Sequence, residues 1–302
     1  MPEPPITRIL VAGAGAMGSQ IAMVCALAGY RATAYDIDAD ALGRARTQLG
    51  QRMSRTVAKG RLPQAGVDAA FAQLAFTTDL PTAAAAADFV IEAVVERLDV
   101  KRDLFSAISQ VAPPHAILTT NSSTIVSSKL ADATGRPDRV CNMHFFNPAL
   151  VMECVEVVPG PHTAAATVET TVQLARRLGK SPIVLRKEIP GFIANRILNA
   201  VRDEAIFLAE EGVAPVDAID TACRTALGYP MGPFELMDLT GIDIGYLAKK
   251  ARYADSHDPK DIPARSVADK VARGELGRKT GRGWYEYDAH GNKLRPVTGD
   301  QL

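Results

Sequence analysis

No charge of one sign dominates this chain, because Lys plus Arg number 34 and Asp plus Glu number 34. Without a basic excess it carries no electrostatic footprint for nucleic acid or for an anionic membrane surface. Long hydrophobic runs are also missing. The longest, around Ile21 to Ala28, falls far short of the roughly 20 residues needed to cross a bilayer. The opening MPEPPITR lacks a cationic start followed by an apolar run, so no signal peptide is expected. Cysteine is scarce. Cys25, Cys141, Cys154 and Cys223 lie far apart in apolar surroundings, in no metal-like spacing. Buried free thiols in a reducing cytoplasm account for them, and no metal is expected.

What is present is ordinary globular composition, 47% hydrophobic and 23% charged. A length of 302 residues exceeds one average domain and favours two. In the first half short apolar runs alternate with helical patterns. RILVAGAG reads as a strand, MGSQIAMVCALAG as a helix, RATAYDID as a strand, and Ala39 to Lys59 as a long helix. After a turn at Arg61 to Pro63 come LAFTT, a helix near Ala83 to Ala87, DFVIEAVV, the helical KRDLFSAISQVA and AILTTNSS. Such alternation implies right-handed crossovers and a parallel, doubly wound sheet of the Rossmann kind. From Arg139 three strand-like runs follow (RVCNMHFF, VMECVEVV, SPIVLR), with a helix over Ala164 to Leu178. KEIPGF then breaks the chain. Beyond it Ile193, Ile197, Val201, Ala205 and Leu208 recur at the spacing of one helix face. The expected domains are 1–187, Rossmann-like, and 188–302, all-helical. No internal repeat is present.

VAGAGAMG supplies Gly13, Gly15 and Gly18 of a GxGxxG loop, with Ala16 and Met17 between them. Alone the pattern is weak, but a strand precedes it, a helix follows, and Asp36 ends the next strand. The first glycine allows the tight turn, the second a close approach to a pyrophosphate, and the third tight helix–strand packing. Free N–H groups at the helix start suit phosphate. Asp36 is placed to accept hydrogen bonds from the adenosine ribose. With Asp38 nearby and no arginine immediately after, it should repel a 2′-phosphate, so NAD rather than NADP is expected.

MHFFNP places His144 among aromatics, where a histidine is usually a satisfied core residue. Twelve residues later Glu156 lies between two valines, and a carboxylate there must find a partner or lose its charge. With Pro148 turning the chain, the two can face each other. Spacing alone leaves a structural ion pair and a catalytic dyad equally open. Two segments favour the dyad. TTNSSTI ends a strand with hydroxyls and an amide, where ligands bind in doubly wound sheets, although such residues also cap helices. PGFIANRIL puts Asn195 about one turn into an apolar helix, where its amide needs something polar.

Taken together, GAGAMG, VIEAVVE, TTNSSTI, HFFNP, PGFIANRI, YPMGPFELMDLTGID and GRKTGRGWYEY resemble the short-chain 3-hydroxyacyl-CoA dehydrogenases, over nearly the whole chain. The resemblance implies that His144 is the catalytic base and that Glu156 orients it. It sets Ser123 and Asn195 near the substrate hydroxyl and carbonyl. Cofactor contacts are implied at Asp36, Glu96, Lys101, Asn121 and Lys279, beside the loop residues Gly13 to Gly18. Substrate contacts are implied at Asn147 and, for coenzyme A, in SRTVAKGR at Ser54, Lys59 and Arg61. NSST stands where many relatives have NTSS, with the serine retained as Ser123. Glu153 stands where a neutral or basic residue is common, and solvent exposure is its expected fate.

The implied reaction is reversible oxidation of an (S)-3-hydroxyacyl-CoA to a 3-ketoacyl-CoA by NAD, in a cytoplasmic homodimer without nucleic acid or membrane partners. Three rivals are set against it. A dehydrogenase of another hydroxy compound, a gulonate-type sugar acid or another degradative substrate, would share the fold; gulonate-type relatives tend to carry proline after the histidine, and Phe145 and Phe146 stand here. A non-catalytic NAD-binding protein would not need His144, Glu156, Ser123 and Asn195 together. A short-chain dehydrogenase with a Tyr–Lys pair is suggested by Tyr246 and Lys250, because YLAKK matches YxxxK, but so short a motif has a high chance rate and an exposed helix face is its bland explanation.

Overall fold

The computed structural model describes residues 5–297, so residues 1–4 of the MPEPPITR stretch and residues 298–302 lie outside it. The chain divides into two compact units, one ending at Phe192 and the next starting at Ile193, somewhat beyond residue 187, where the sequence puts the break.

The first unit alternates strand and helix: β1 (Arg8–Ala12), α1 (Gly18–Leu27), β2 (Arg31–Tyr35), α2 (Ala39–Ala58), α3 (Gln64–Gln73) and β3 (Leu74–Thr77). It continues through α4 (Leu80–Ala85), β4 (Phe89–Glu92), α5 (Leu98–Val111), β5 (Ile117–Thr120) and β6 (Val140–Phe145). β7 (Cys154–Pro159), α6 (Ala165–Arg177) and β8 (Ser181–Val184) complete it. All eight strands form one sheet in the order β3-β2-β1-β4-β5-β6-β7-β8. The inner strands are apolar and buried on both faces, as helices on both sides require. One core forms where α1, buried along almost its whole length, meets β1 and its neighbours. On the other face Phe105 and Ile108 of α5 pack on Leu10, Val90 and Leu118. α2 turns Leu42, Ala45, Leu49 and Met53 inward at helical spacing, and Asp38 caps it by accepting the Asp40 N–H.

Two features of this unit's chain path depart from the sequence expectation. α3 occupies a stretch read only as the approach to LAFTT. β7 runs antiparallel to β6, so the sheet is dominated by parallel pairs rather than wholly parallel. The cause is the short link through Asn147 and Pro148, which holds no crossover helix and can only reverse the chain.

The second unit holds α7 (Ala194–Glu210), α8 (Val216–Ala226), α9 (Pro233–Thr240), α10 (Ile242–Ser256) and α11 (Arg265–Ala272). It is not all helical, because β9 (Tyr285–Tyr287) and β10 (Lys293–Pro296) pair as a hairpin. Ile206, Ile219, Phe234, Met237, Val267 and Trp284 form its core, with the Phe234 ring edge-on to Trp284 at 4.7 Å. Two buried aspartates join the pieces. Asp220 of α8 accepts the Phe234 and Glu235 N–H groups and the Tyr285 hydroxyl. Asp238 of α9 accepts from Trp284 N, Tyr285 N and Tyr287 Oη.

Of the four thiols, Cys25 and Cys141 are buried, and desolvation pushes both up to about 12. Cys154 and Cys223 are only half-buried, short of the full burial expected. Among the described residues no helix is long and apolar enough to cross a membrane.

Candidate active site

The site is assembled at the carboxyl ends of the parallel strands, around the point where the strand order reverses on either side of β1. Gly13 leaves β1 at φ +104, and a Cβ there would meet the Ala93 carbonyl oxygen at 2.5 Å. A Cβ on Gly18 would strike the Gly13 oxygen at 1.8 Å, so α1 can start this close to β1 only from glycine. Nothing lies within 4 Å of the place a Gly15 Cβ would occupy, which leaves open space at the phosphate position. The N–H groups of Gly15, Ala16 and Met17 have no backbone acceptor among the described residues. Asp36 directly follows β2 and is half-buried. Its Oδ2 accepts the Ala14 N–H at 2.8 Å and its Oδ1 the Asp38 N–H at 3.1 Å. The carboxylate is thereby fixed with lone pairs to spare. Arg44, the cation after it in sequence, is paired to Asp38 at 3.1 Å. The loop therefore fits a dinucleotide whose ribose carries free hydroxyls.

A second polar cluster joins the ends of β4 and β5. Glu92 is fully buried; its Oε1 accepts from Val94 N at 2.6 Å and Lys101 Nζ at 2.7 Å, and its Oε2 accepts the Thr120 hydroxyl at 2.6 Å. Lys101 is 1% exposed, and its ammonium also reaches Glu96 at 3.2 Å. That ammonium is held between two carboxylates. Burial would raise the Glu96 carboxyl, but the Lys101 ammonium and the hydroxyls of Ser122 and Thr124 outweigh it and hold the carboxyl below its ordinary range. Ser122 also ties down its own loop by accepting the Ile125 N–H at 2.8 Å. Asn121 accepts the Phe145 N–H on Oδ1 at 2.8 Å, linking the end of β5 to the residue after His144.

His144 and Glu156 are directly opposed in the β6–β7 register. His144 Nδ1 lies 2.9 Å from Glu156 Oε2, with side chains 8% and 1% exposed. With Glu156 as a carboxylate, which only accepts, Nδ1 would donate to it and Nε2 would be left as the nitrogen able to take a proton. The imidazole also meets the edges or faces of two rings, Phe146 with centroids 4.6 Å apart and Phe192 at 5.5 Å. Ser123 is half-buried in the loop after β5, its carbonyl accepting the Gly191 N–H at 2.8 Å.

Gly13, Gly15, Gly18 and Asp36 thus meet in one loop, Glu96 and Lys101 in one cluster, and His144 and Glu156 in one pair. Ser54 and Lys59 are exposed at the end of α2, as is Arg61 in the turn beyond, and Asn147 is exposed after β6. Asn195 is half-buried in the first turn of α7, nearer the helix start than its spacing implies. Lys279 belongs to the second unit, where its ammonium pairs with Asp243 at 2.6 Å. Tyr246 packs against the core of that unit and Lys250 is exposed. Glu153 is exposed. Among the described residues no group of three or more His, Cys, Asp or Glu could hold a metal.

Sequence reasoning passed over four residues. Glu92 was hidden inside VIEAVVE, and Ser122 beside the serine already chosen. Asn142 lies in β6 and donates to the carbonyls of Ser122 and Ile125 at 3.1 Å each. Phe192 read only as part of a chain break. A buried carboxylate or amide in an apolar strand was the available signal for Glu92 and Asn142, the same signal that exposed Glu156.

Two family models cover the chain. The 3-hydroxyacyl-CoA dehydrogenase NAD-binding domain matches residues 8–189, and the C-terminal domain of the same family matches residues 191–287. The probable 3-hydroxybutyryl-CoA dehydrogenase of Bacillus subtilis is 36% identical over 94% of this chain and 98% of its own length. The 3-hydroxyadipyl-CoA dehydrogenase of Escherichia coli is 40% identical over 94% of this chain, which spans 60% of that protein. Among solved structures, the (S)-3-hydroxybutyryl-CoA dehydrogenase of Ralstonia eutropha superposes with a TM-score of 0.87 at 36% identity, over 94% of this chain and 100% of that one. With an NAD-binding loop in place and both domains matched, the chain belongs to the 3-hydroxyacyl-CoA dehydrogenase family.

Proposed function

We propose that this protein catalyses reversible oxidation of an (S)-3-hydroxyacyl-CoA with a short acyl chain to the 3-ketoacyl-CoA, with His144 as the base. The observation that carries the reading is the buried His144–Glu156 pair, 2.9 Å apart on neighbouring strands. The substrates in the names of the similar proteins support it. NAD, when bound, accepts the hydride from C3. His144 Nε2 takes the hydroxyl proton, while Glu156 holds Nδ1–H and stabilises the imidazolium that forms. Ser123 and Asn195 are the proposed partners of the C3 oxygen. Gly13, Gly15, Ala16, Met17 and Gly18 receive the pyrophosphate, Asp36 the ribose hydroxyls, and Glu96, Asn121 and Lys279 complete the proposed cofactor contacts. Lys101 acts through Glu96 in this scheme. Ser54, Lys59 and Arg61 are offered to coenzyme A, and Asn147 to the acyl portion. The proposed domains are 1–187 and 188–302. The second unit is proposed to form a homodimer through faces on which Ile197, Phe207, Ile244 and Leu247 are each more than half exposed.

One assay tests the reading. NADH formation is followed with 3-hydroxyacyl-CoAs of several lengths, a 3-hydroxydicarboxylyl-CoA, free hydroxy acids and gulonate. Highest kcat/KM on a short acyl-CoA is expected, with NAD strongly preferred to NADP. Turnover confined to free acids or gulonate overturns the substrate class, and equal kcat/KM with both cofactors overturns the reading of Asp36.

A further inference from the structure

We propose that Phe192 is a positioning residue for the His144 imidazole, seated by Glu188 and Gly191. The inference rests on the reading of His144 as the base. A base must present one nitrogen along one direction, and the Nδ1 bond to Glu156 alone leaves the ring able to rock about that bond. Two aromatic rings limit the rocking. Phe146 is a near neighbour of His144 in sequence and half-buried. Phe192 comes from far along the chain, is 1% exposed, and stands tilted by 62° against the imidazole at 5.5 Å. It packs with Val126, Val158 and Leu185, so its ring has little freedom of its own.

The backbone shows that this placement is imposed. Phe192 has φ +52, a left-handed conformation that a bulky L-residue adopts only where its surroundings dictate it. Those surroundings can be named. The Gly191 N–H donates to the Ser123 carbonyl at 2.8 Å, and the Phe192 N–H to the Ile189 carbonyl at 3.0 Å. Glu188 Oε1 accepts the Ser127 hydroxyl at 2.7 Å and the Ser128 N–H at 3.0 Å. Residues 188–192 are therefore fastened to the loop that carries Ser123. One stretch of backbone fixes the carbonyl of the serine and delivers a ring onto the histidine. A glycine at position 192 would hold the same φ without strain. The presence of phenylalanine there is accounted for by the ring.

The test uses the full chain with Phe192→Leu, which keeps apolar bulk but removes the ring, and Glu188→Ala, which releases the segment while leaving Phe192 itself in place. Each is assayed for kcat, for KM of both substrates and for thermal midpoint, and each is labelled with ¹⁵N-histidine. The His144 ring signals are assigned by their loss in His144→Gln. The expected result is a kcat lowered roughly 10- to 100-fold, the scale of a small misplacement of a reacting group. KM should stay within about threefold, with His144 ring resonances shifted or broadened in both folded variants. Parent-like kcat and ring signals in Phe192→Leu, even with a lowered thermal midpoint, make Phe192 a core filler and overturn the proposal. Should Phe192→Leu not fold, Glu188→Ala decides by the same two readouts. Full turnover in His144→Gln would instead sink the base assignment, while the ring signals would still report whether Phe192 positions the imidazole.

Discussion

At the scale of single residues, His144 had two open fates, and burial weighs on both. The flanking valines of Glu156 are buried with it, so the carboxylate has almost no water and depends on its hydrogen bonds. A lone buried charge is costly, and a partner that can itself become charged offsets much of that cost. The pairing was legible because a carboxylate in an apolar strand announces a requirement. The distinction between Ser122 and Ser123 was not, because adjacent hydroxyls carry no spacing signal. One turns inward to Glu96 while the other remains half-buried, a matter of loop geometry that composition does not encode. His144→Gln is expected to fold, bind NAD and lose roughly 10²–10⁴-fold in kcat, the usual contribution of a general base. Glu156→Gln should also lower kcat, since a neutral amide stabilises the imidazolium less. Steady-state kinetics with thermal melts check both; a loss below tenfold in His144→Gln removes it as base.

At the scale of elements, periodicity located most helices and strands but missed what long-range pairing decides. α3 buries only Val67 and Ala70, too little to write an apolar stripe into the sequence. The antiparallel β7 has the same composition as a parallel core strand, and only its short link to β6 sets its direction. The β9–β10 hairpin depends on buried aspartates in distant helices. Asp238 is the clearest of these, because glycine lets the chain come so close to it: a Cβ on Gly283 would lie 2.1 Å from its Oδ1. Desolvation pushes the Asp238 carboxyl from 3.8 up to about 6, although the N–H groups of Trp284 and Tyr285, the Tyr287 hydroxyl and the Lys270 ammonium all pull it down. A raised acid binds its proton more readily in the folded state. Its contribution to stability is therefore fully present below about pH 4 and lost as pH rises through about 6. A displacement of that size is worth ~3 kcal/mol at most. A ¹³C titration of the Asp238 side chain should give a midpoint near 6, and a midpoint near that of a free aspartate would mean that water reaches the joint between α9 and the hairpin.

At the scale of the whole molecule, the apolar faces of the second unit outnumber what its own core uses. α7 turns Ala205, Ile206 and Ala209 inward, yet Ile197 is 59% and Phe207 54% exposed on the same helix. On α10, Ile244 and Leu247 are each 57% exposed, and Leu227 beyond α8 is 62% exposed. Single exposed apolar side chains need no explanation, but several from neighbouring helices of one small unit usually mark an interface. A second copy is the economical partner, since symmetric pairs are the commonest closed assembly and present the same faces to each other. Light scattering across a dilution series should therefore give a mass near twice that of one 32.2 kDa chain. Ile197→Asp combined with Leu247→Asp should move that mass toward a single chain, because a dimer would have to bury the new carboxylates without partners. A stable mass of one chain for the parent at micromolar concentration rejects the dimer, and an unchanged dimer in the double variant places its interface on another surface.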